Sequence, residues 1–434
     1  MSTSEPVRVG VVGLGTVGSG VVRLLVESAD HISRHAGRPI VVERAVCRDV
    51  GRDRGLKLAA DRVSSDIRTV SRDPSISVAV LLVGGLEPAR SMMIELLENG
   101  KDVVTANKAL LAEHGPELFD LARRKGRSIA FEAAVAGGIP IVAAIGECLA
   151  ANRIESIRGI LNGTSNFILS KMEEDGADYA EVLALAQQMG YAEADPSMDV
   201  DGTDATQKLA ILSHLAFGTW VPWAEIPRTG IEHLDIELLS CAREFGHRIR
   251  LVAVASRTAE GRLAMRVAPA LVRIGTPLAE TRGAYNAVSI VGDAVGRMFF
   301  HGLGAGQMPT ASAVVADIID TVVGRAAITF RTTGVLDVDG PGRIAGADFQ
   351  EPHFLRVRVA DRPGVLSRVT GILGEHGISI ASVIQHAPTA GSGAVPLVIM
   401  THACSSTAIR RAVAHIEASD VVVGPAVCMS VLDD

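Results

Sequence analysis

The chain has 434 residues, which is more than one hydrophobic core usually supports, so two or three domains are expected. Its 42 basic and 49 acidic residues leave a net charge of -7, which argues against a broad surface for nucleic acid or for anionic membranes. Five scattered cysteines without a CxxC pair suggest neither a disulfide framework nor a zinc site, and they fit a cytoplasmic protein.

The first 150 residues alternate β-rich runs with helical stretches. Residues 7–12 form a β-rich run, and residues 16–27 follow with apolar side chains at helical spacing. Five glycines interrupt this apolar opening and it lacks a basic leader, so neither a signal peptide nor a membrane span is expected. Further β-rich runs, among them "VAVLLVGG" and "DVVTAN", are separated by helical stretches. This order predicts an α/β fold in which helices cover both faces of a parallel sheet.

The first turn of this region carries "GLGTVG", which has the GxGxxG spacing directly after a strand and at the start of a helix. The first glycine permits a tight turn, the second lets the backbone approach a pyrophosphate, and the third lets the helix pack close to the strand. The motif predicts a Rossmann-like, doubly wound dinucleotide-binding domain over residues 1–150; the alternative is a purely structural glycine turn. The predicted cofactor contacts in the turn are Gly13, Leu14, Gly15, Thr16, Val17 and Gly18.

The second strand ends in "AVCRD", so Arg48 stands where an NAD-specific site would favour a carboxylate. An arginine at this position can bind the 2'-phosphate of NADP. We therefore predict NADP over NAD. NAD remains the alternative, because Asp49 is adjacent and an exposed arginine can simply be solvated.

After about residue 150 the pattern becomes mixed. "RIESIRGILNG" and "RIRLVAVASRT" resemble strands, whereas residues 178–190 and 203–217 have helical patterns. This mixture predicts an α+β domain over residues 151–330, with a sheet available for subunit contact. A helix at about 309–330 is expected to return to the first domain.

The remaining chain divides into a polar segment and a small domain. Residues 331–352 contain four glycines and two prolines and are predicted to be a linker. A third domain is expected to occupy residues 353–434.

The helix predicted at 203–217 has an unusual pair of charges. Its apolar residues fall in one arc about 160° wide at 100° per residue, and Thr206, Gln207 and His214 fall opposite. Asp204 and Lys208 lie inside the apolar arc, one turn apart. Such pairs are common on solvated faces, but burying a charge is expensive unless a partner or a function compensates for it. The placement therefore favours a functional site.

Carboxylates are concentrated just ahead of this helix. "GYAEADPSMDVDGTDATQK" holds five of them within twelve residues, a density that suits a polar ligand rich in hydrogen-bond donors; they are Glu193, Asp195, Asp199, Asp201 and Asp204. The alternative is a solvated acidic loop in which Asp201 or Thr203 caps the helix.

A second lysine of interest is Lys108 in "VTANKALLAEHG". It follows a β-rich run, at what would be the carboxyl end of a strand in the nucleotide domain. Ligands of doubly wound sheets bind at that edge. The alternative is an ordinary surface lysine.

Taken together, these motifs resemble homoserine dehydrogenase over nearly all of residues 7–330. The resemblance rests on "VGLGTVGSGV", "VVTANKALLA", "FEAAVAGGIPI", "GILNGTSNFIL", "GYAEADPSMDVDGTDATQKLAIL" and "GLGAGQMPTASAVVADI". The segment "LRVRVADRPGVLSRVTGILGEHGISIASV" resembles an ACT domain, a ferredoxin-like βαββαβ module. In that module Asp361, Pro363 and Gly364 would form the turn between the first strand and the first helix.

The resemblance implies the NAD(P)-dependent interconversion of L-homoserine and L-aspartate 4-semialdehyde, a step toward threonine and methionine. Lys208 matches the family's catalytic lysine, and Lys108 matches a second lysine at the interface of cofactor and substrate. Glu193 and Asp204 match residues that hold the substrate's amino group and polar end. An ammonium can protonate a developing alkoxide, and in reverse the neutral amine accepts the hydroxyl proton. Thr164 and Asn166 are further candidates for polar contacts with the substrate.

The resemblance also implies further sites for ligands. Gly84, Thr105, Lys108 and the glycine-rich turn at Gly304 are candidate cofactor contacts, although Leu303 stands where the family more often has proline. The loop "FEAAVAGGIP" matches one that binds a monovalent cation, usually sodium, through a carboxylate and backbone carbonyls. The corresponding positions are Glu132, Val135, Gly137 and Ile139.

The C-terminal module has two interpretations. It binds threonine and couples that site to the active site, or it serves only to assemble subunits. Pairing of edge strands between such modules would favour a homodimer or homotetramer.

Two other functions would use parts of the same sequence. A phosphorylating semialdehyde dehydrogenase shares the nucleotide domain but needs an activated cysteine nucleophile, and no cysteine stands in a convincing catalytic setting. A non-catalytic sensor of redox state or amino acids would not need both lysines and the acidic cluster.

Overall fold

The computed structural model describes residues 5–258, 261–332, 343–345, 348–385 and 394–432. Its contacts divide the chain into two compact units. Unit one comprises Met1–Ile157, Asp204–Glu225 and Tyr285–Pro341, and unit two comprises Arg158–Thr203, Ile226–Ala284 and Gly342–Asp434.

The described residues form strands and helices that we number in chain order. The strands are β1 (Val7–Val12), β2 (Ile40–Val46), β3 (Val63–Ser64), β4 (Ile76–Leu81), β5 (Asp102–Thr105), β6 (Ile129–Ala130), β7 (Ile154–Ile160), β8 (His247–Arg257), β9 (Leu263–Arg273), β10 (Tyr285–Gly292), β11 (Gly296–Leu303), β12 (Arg343–Ala345), β13 (Gln350–Glu351), β14 (His353–Ala360), β15 (Ile380–Gln385), β16 (Ala394–Thr401), β17 (Cys404–Ser405) and β18 (Val427–Leu432). The helices are α1 (Thr16–Glu27), α2 (Ala29–Ala36), α3 (Arg68–Ser71), α4 (Ala89–Glu98), α5 (Lys108–Arg124), α6 (Ile141–Ala143), α7 (Gly163–Asp175), α8 (Tyr179–Gln188), α9 (Ser197–Val200), α10 (Thr203–Phe217), α11 (Ile236–Glu244), α12 (Gln307–Val323), α13 (Arg325–Thr332), α14 (Val365–Glu375) and α15 (Ser406–Glu417). Within the described ranges, no helix has both the length and the apolar character that crossing a membrane requires.

Unit one is built on a six-stranded parallel sheet with the strand order β3-β2-β1-β4-β5-β6. Its central strand β1 is rich in valine, and Val9 and Val11 have no exposed surface. Such runs suit a parallel sheet, because helices cover both of its faces. After β3 the chain returns to the other side of β1, which creates the switch point at which ligands of such sheets bind. The predicted doubly wound fold is confirmed.

Helix α12 packs against α1 in unit one. The two helices approach closely at Gly20, where an added Cβ would lie 3.0 Å from both the Cβ of Ala311 and the Cγ of Gln307. The sequence predicts one helix at about 309–330, whereas the structure has α12 and α13 in succession. The break falls at Gly324, whose φ of +87° ends α12 in a left-handed conformation that glycine adopts without strain.

Unit two contains a mixed sheet in which the strands β8-β9-β18-β14-β16-β15 are neighbours in that order. Strands β14, β15, β16 and β18, with α14 and α15, form the βαββαβ module that the sequence predicts. The turn between β14 and α14 contains Gly364 with a φ of +90°, in agreement with the expected turn. The module's last strand, β18, pairs in parallel with β9, so the two sheets are continuous.

Short strands occur inside the segment 331–352, which the sequence predicts as a linker. Arg343–Ala345 pairs with β9, and Gln350–Glu351 pairs with β17. The glycine and proline content of a segment does not predict this strand pairing, because the hydrogen bonds between strands are made by the backbone. Most of the remaining segment lies outside the described residues.

One partly buried arginine joins the βαββαβ module to β9. Arg266 forms an ion pair with both carboxylate oxygens of Glu351 and donates to the hydroxyl of Ser430 at 3.0 Å. Its guanidinium lies 4.2 Å from the ring centroid of Phe349. The Arg266 and Glu351 side chains are only 14% and 12% exposed, so little solvent is available to replace a lost partner.

Replacing Arg266 should therefore weaken the contact between β9 and the βαββαβ module. We expect Arg266→Met to destabilise the protein by about 3 kcal/mol, because it leaves the buried carboxylate of Glu351 without its main partner. The double variant Arg266→Met/Glu351→Met removes both charges and should recover much of the loss. Thermal unfolding measured by calorimetry tests both statements.

The matched control is Arg243→Met, which alters an exposed arginine of the same unit. Surface substitutions of this kind usually change stability by about 0.5 kcal/mol or less. If Arg266→Met melts at the same temperature as Arg243→Met, the ion pair does not stabilise the join.

Candidate active site

The glycine turn between β1 and α1 needs each of its three glycines for a different reason. Gly13 has a φ of +105°, and a Cβ there would lie 2.9 Å from the backbone of Leu82. A Cβ at Gly18 would lie 1.9 Å from the carbonyl oxygen of Gly13, so only glycine lets α1 start this close to the strand. A Cβ at Gly15 would meet no atom within 4 Å. The protein's own packing therefore leaves space in front of Gly15.

This space faces the N-terminus of α1. Gly15 is the N-cap residue, no side chain caps the helix, and the first turn, which starts with Thr16 and Val17, holds no acidic residue. Backbone N–H groups at a helix N-terminus bind phosphate well. Gln307 donates to the carbonyl of Thr16 at 2.9 Å, which fixes the turn against α12. The turn therefore fits a dinucleotide pyrophosphate.

The loop after β2 completes the surroundings of the glycine turn. Arg48 is exposed at the beginning of this loop. Leu14 is buried, and its carbonyl oxygen accepts a hydrogen bond of 3.0 Å from Nε of Arg54. Sequence reasoning singled out Arg48 and missed Arg54.

The ends of β4 and β5 bring a second group of residues to the same edge of the sheet. Thr105 is buried and donates to the carbonyl of Leu81 at 2.8 Å. Asn107 donates to the carbonyls of Val83 and Gly85 at 2.9 and 2.7 Å. The exposed Gly84 lies between these two acceptors, so the side chain of Asn107 fixes the loop that contains the predicted cofactor contact.

Asn107 also accepts from the N–H of Leu110 at 3.0 Å and so caps α5, which begins at Lys108. An asparagine immediately before a helix is a recognisable N-cap signal. Sequence reasoning missed this residue because it concentrated on the neighbouring lysine.

Asp204 binds both candidate lysines. Its Oδ2 accepts from Nζ of Lys208 at 2.7 Å, and its Oδ1 lies 3.1 Å from Nζ of Lys108. Asp204 and Lys208 are 4% and 8% exposed, whereas the side chain of Lys108 keeps 38% of its surface. The structure therefore brings together three predicted site residues that are far apart in the sequence, and it places Asp204 and Lys208 in a buried environment as the helical spacing predicts.

The rest of α10 differs from the expected amphipathic pattern. Thr206, Gln207, Ser213 and His214 lie opposite the apolar arc, yet all four are buried. His214 is an example, since its ring stacks on Phe119 with 6.0 Å between centroids and meets Trp220 edge-on. Burial lowers the pKa of His214 to about 4, so the ring is neutral at physiological pH. The prediction of a single buried face is wrong because other elements of the fold surround the helix.

Three carboxylates of the acidic segment in unit two have local hydrogen-bond partners. Asp201 accepts from the N–H of Thr203 at 2.7 Å and caps α10, and Asp195 accepts from the N–H of Ser197 at 3.1 Å. Asp199 accepts from Nδ2 of Asn162 at 2.7 Å. Glu193 is exposed. The capping role that the sequence offered as an alternative applies to Asp201.

Thr164 and Asn166 bond to the backbone of unit two. Thr164 donates to the carbonyl of Tyr191 at 2.7 Å. Asn166 donates to the carbonyls of Thr281 and Gly283 at 3.2 and 2.9 Å. These bonds fix the start of α7 and the turn before β10.

Gly304 needs to be glycine because of its neighbour. A Cβ at Gly304 would lie 2.1 Å from the side-chain amide of Asn286. The turn after β11 therefore packs directly on β10. Leu303, which replaces the proline common at this position, is exposed, and its carbonyl accepts from Gly138 at 2.9 Å.

The loop proposed for a cation has oxygen atoms suited to one. Glu132 is buried, and its carboxylate accepts from the N–H groups of Val142 and Ala143 at 2.9 and 2.8 Å, which leaves lone pairs on both oxygens. Among the described residues nothing donates to the carbonyls of Val135 and Gly137, both of which are buried. Unsatisfied buried carbonyls beside a carboxylate fit a hard monovalent cation.

Two further facts qualify this loop. The carbonyl of Ile139 already accepts from the N–H of Ile141 at 2.8 Å, so it has one lone pair fewer to offer. Asp317, which sequence reasoning missed, accepts from the N–H of Glu132 at 2.8 Å, and burial raises the pKa of both carboxyl groups. In the part of the chain that the structure describes, no three His, Cys, Asp or Glu side chains converge as ligands of a metal ion.

Three family models match separate parts of the chain. "Homoserine dehydrogenase" matches residues 140–319, "Homoserine dehydrogenase, NAD binding domain" matches residues 13–132, and "ACT domain" matches residues 353–418. These matches confirm the families that the sequence motifs indicated.

Individual relatives agree with these models. Homoserine dehydrogenase from Pseudomonas aeruginosa is 42% identical, and the alignment covers 98% of each chain. The crystal structure of a homoserine dehydrogenase from Thiobacillus denitrificans is 42% identical, covers 99% of each chain and superposes with a TM-score of 0.92. A hyperthermophilic archaeal homoserine dehydrogenase in complex with NADPH is 28% identical, covers 73% of this chain and 97% of its own, and has a TM-score of 0.60. The chain therefore belongs to the homoserine dehydrogenase family of oxidoreductases and combines an NAD-binding domain with an ACT domain.

Proposed function

We propose that this chain interconverts L-aspartate 4-semialdehyde and L-homoserine with NADP, and that Lys208 is the general acid and base. The observation that carries the proposal is the buried Lys208 ammonium, held 2.7 Å from Asp204 on a helix that is otherwise uncharged around it. A buried charge of this kind is uncommon unless it is paired or has a function.

The reaction needs a hydride at carbon and a proton at oxygen. The bound nicotinamide supplies or accepts the hydride. In the direction of reduction, Lys208 stabilises the developing alkoxide and donates the proton from Nζ; in the direction of oxidation, the neutral amine accepts the hydroxyl proton. Lys108 also pairs with Asp204, and its ammonium adds a second positive charge beside the substrate oxygen.

The carboxylates have complementary roles in this proposal. Asp204 uses both oxygens on the two lysines, so its first role is to orient them beside the polar end of the substrate. Glu193 is exposed and binds the ammonium of the amino acid. A carboxylate is the natural partner of that group.

We propose the remaining ligands from the family resemblance and from the residues at each site. The glycine turn holds the pyrophosphate, and the archaeal relative in complex with NADPH supports a cofactor of that class. Glu132 with the carbonyls of Val135, Gly137 and Ile139 binds sodium or another monovalent cation. The ACT domain binds an amino-acid effector, with threonine as the first candidate, and the chain assembles into a homodimer or homotetramer.

Substitution of Lys208 tests the central proposal. We expect Lys208→Ala to lower kcat for homoserine oxidation about 10²- to 10⁴-fold, the usual contribution of a positioned acid or base. Lys208→Arg keeps the positive charge but cannot deprotonate near neutral pH, so it should be about as inactive as the alanine variant. The measurement is homoserine-dependent reduction of NADP by the purified protein.

Lys171→Ala is the matched control, because Lys171 forms an exposed pair with Asp175 at the same spacing of four residues. It should keep wild-type activity. Activity of Lys208→Ala close to that of Lys171→Ala would refute the assigned role.

Two glycine substitutions separate the cofactor site from the fold. Gly15→Ala should leave the melting temperature of the ligand-free protein unchanged, because its Cβ meets no atom within 4 Å, yet weaken NADP binding at least about tenfold by filling the phosphate space. Gly18→Ala should destabilise the protein by about 1–3 kcal/mol, because its Cβ would overlap the carbonyl of Gly13.

Thermal unfolding and fluorescence titration with NADPH measure the two effects. If Gly15→Ala binds NADPH as tightly as the wild type, the pyrophosphate does not lie at this turn.

A further inference from the structure

A pocket of about 440 Å³ lies in unit one between the glycine turn and the loop that follows β2. Leu14 lines it from the turn, and Arg52 and Arg54 line it from the loop. Leu56 and Leu58 add apolar surface. Arg48, the residue that the sequence singles out, is not among the lining residues. The pocket therefore presents different arginines from the one expected.

Arg54 holds the loop in place through three carbonyl groups. Its Nε donates to Leu14 at 3.0 Å, one Nη donates to Arg52 at 2.8 Å, and the other Nη donates to Asp49 at 2.8 Å. The guanidinium therefore ties the loop backbone at Asp49 and Arg52 to the glycine turn. Each of the three guanidinium nitrogens of Arg54 therefore donates to a carbonyl of the protein itself.

The carboxylate of Asp49, in the loop after β2, also has hydrogen-bond partners within the protein. Oδ1 of Asp49 accepts from the N–H groups of Gly51 and Arg52 at 3.2 and 3.1 Å. In Rossmann domains that prefer NAD, an acidic residue near this position hydrogen-bonds the ribose 2'-hydroxyl. Here the carboxylate shapes its own loop, and its bond to the amide of Arg52 contributes to placing that residue.

Of the two arginines that line the pocket, Arg52 is the one whose side chain the described residues leave without a partner; the neighbouring Asp53, which also lines the pocket, accepts from the N–H of Gly55 at 2.8 Å. Its side chain is exposed and lines the pocket, and within the described ranges its guanidinium makes no hydrogen bond or ion pair. A planar guanidinium with free donors matches the geometry of a phosphate group. An unpaired arginine beside a glycine turn is thus suited to the phosphate that distinguishes NADP from NAD.

We infer that Arg52 binds the 2'-phosphate of the cofactor, and that Arg54 is a positioning residue that holds the loop of Arg52 against the glycine turn. The inference rests on the proposed use of a dinucleotide at that turn and adds the residues that decide between its two forms. It replaces Arg48 as the main contact of the 2'-phosphate.

The test uses two fragments of the cofactor, so that catalysis is not needed. Adenosine 2',5'-bisphosphate carries the 2'-phosphate and AMP lacks it, and calorimetric titration of the full chain gives the Kd of each. We expect Arg52→Met to weaken the bisphosphate about 10- to 100-fold and AMP less than about threefold, since a charge-assisted hydrogen bond contributes on this scale. Arg48→Met is the matched control. It should leave the ratio of the Kd of AMP to the Kd of the bisphosphate near that of the wild type.

Arg54→Met should lower the same ratio although Arg52 is still present, and Arg54→Lys should restore part of it through one carbonyl bond. The double variant Arg52→Met/Arg54→Met should have the same ratio as Arg52→Met alone, because Arg54 acts through Arg52. A merely structural role for Arg54 would weaken both fragments equally and leave the ratio unchanged, which would overturn the positioning role.

If Arg48→Met lowers the ratio and Arg52→Met does not, the assignment to Arg52 is wrong while the proposed function stands. If the wild type binds neither fragment and does not oxidise homoserine with either cofactor, the proposed function itself fails. Wild-type binding of both fragments with equal affinity would show that the pocket does not recognise a 2'-phosphate.

Discussion

The carboxylate of Asp204 is the constraint around which the site is organised. It lies buried between two ammonium groups, one on each of its oxygens. Removing that carboxylate would take an ion-pair partner at 2.7 Å from the buried Lys208 ammonium, and breaking a buried pair in this way costs several kcal/mol. The contact joins one carboxylate to two ammonium groups. It therefore explains how a lysine is tolerated on a buried helix.

The parallel sheet places the other parts of the site at one edge. The glycine turn follows β1, the arginine-rich loop follows β2, and Asn107 and Lys108 follow β5. Since all these strands run in the same direction, their carboxyl ends meet where ligands of doubly wound sheets bind. Side chains then connect the loops, as Arg54 does to Leu14 and Asn107 to Val83. The rigid strands set the position of each loop, and the hydrogen bonds set its shape.

Local sequence patterns predicted the parts of this site that depend on neighbouring residues. The glycine spacing, the turn before α14 and the burial of Asp204 and Lys208 all follow from contacts within a few residues. Arg54 and Asp317 were missed because their partners are 40 and 185 residues away. The hydrophobic periodicity of a sequence does not predict contacts between residues so far apart.

Patterns within one segment leave out the surroundings of that segment. The helical pattern of α10 describes the residues of that helix and not the elements around it, so it predicted a polar face where Gln207 and His214 are buried. The density of carboxylates from 193 to 204 predicts a ligand site, which stays a prediction; in the structure Asp201 caps a helix and Asp199 accepts a hydrogen bond from an asparagine. Proximity in sequence does not fix where side chains point.

The ACT domain is connected to the rest of unit two by more than a linker. β18 pairs with β9, and Arg356 of β14 forms a bidentate ion pair with Asp235, the N-cap of α11, at 2.7 and 2.8 Å. Coupling between two sites requires that a ligand bind two arrangements of the protein with different affinity. In this fold, an effector that changes the twist of the ACT sheet necessarily changes β9, because both belong to one ladder of hydrogen bonds. The Arg266 and Arg356 ion pairs add side-chain contacts between the ACT domain and the rest of unit two to this shared ladder.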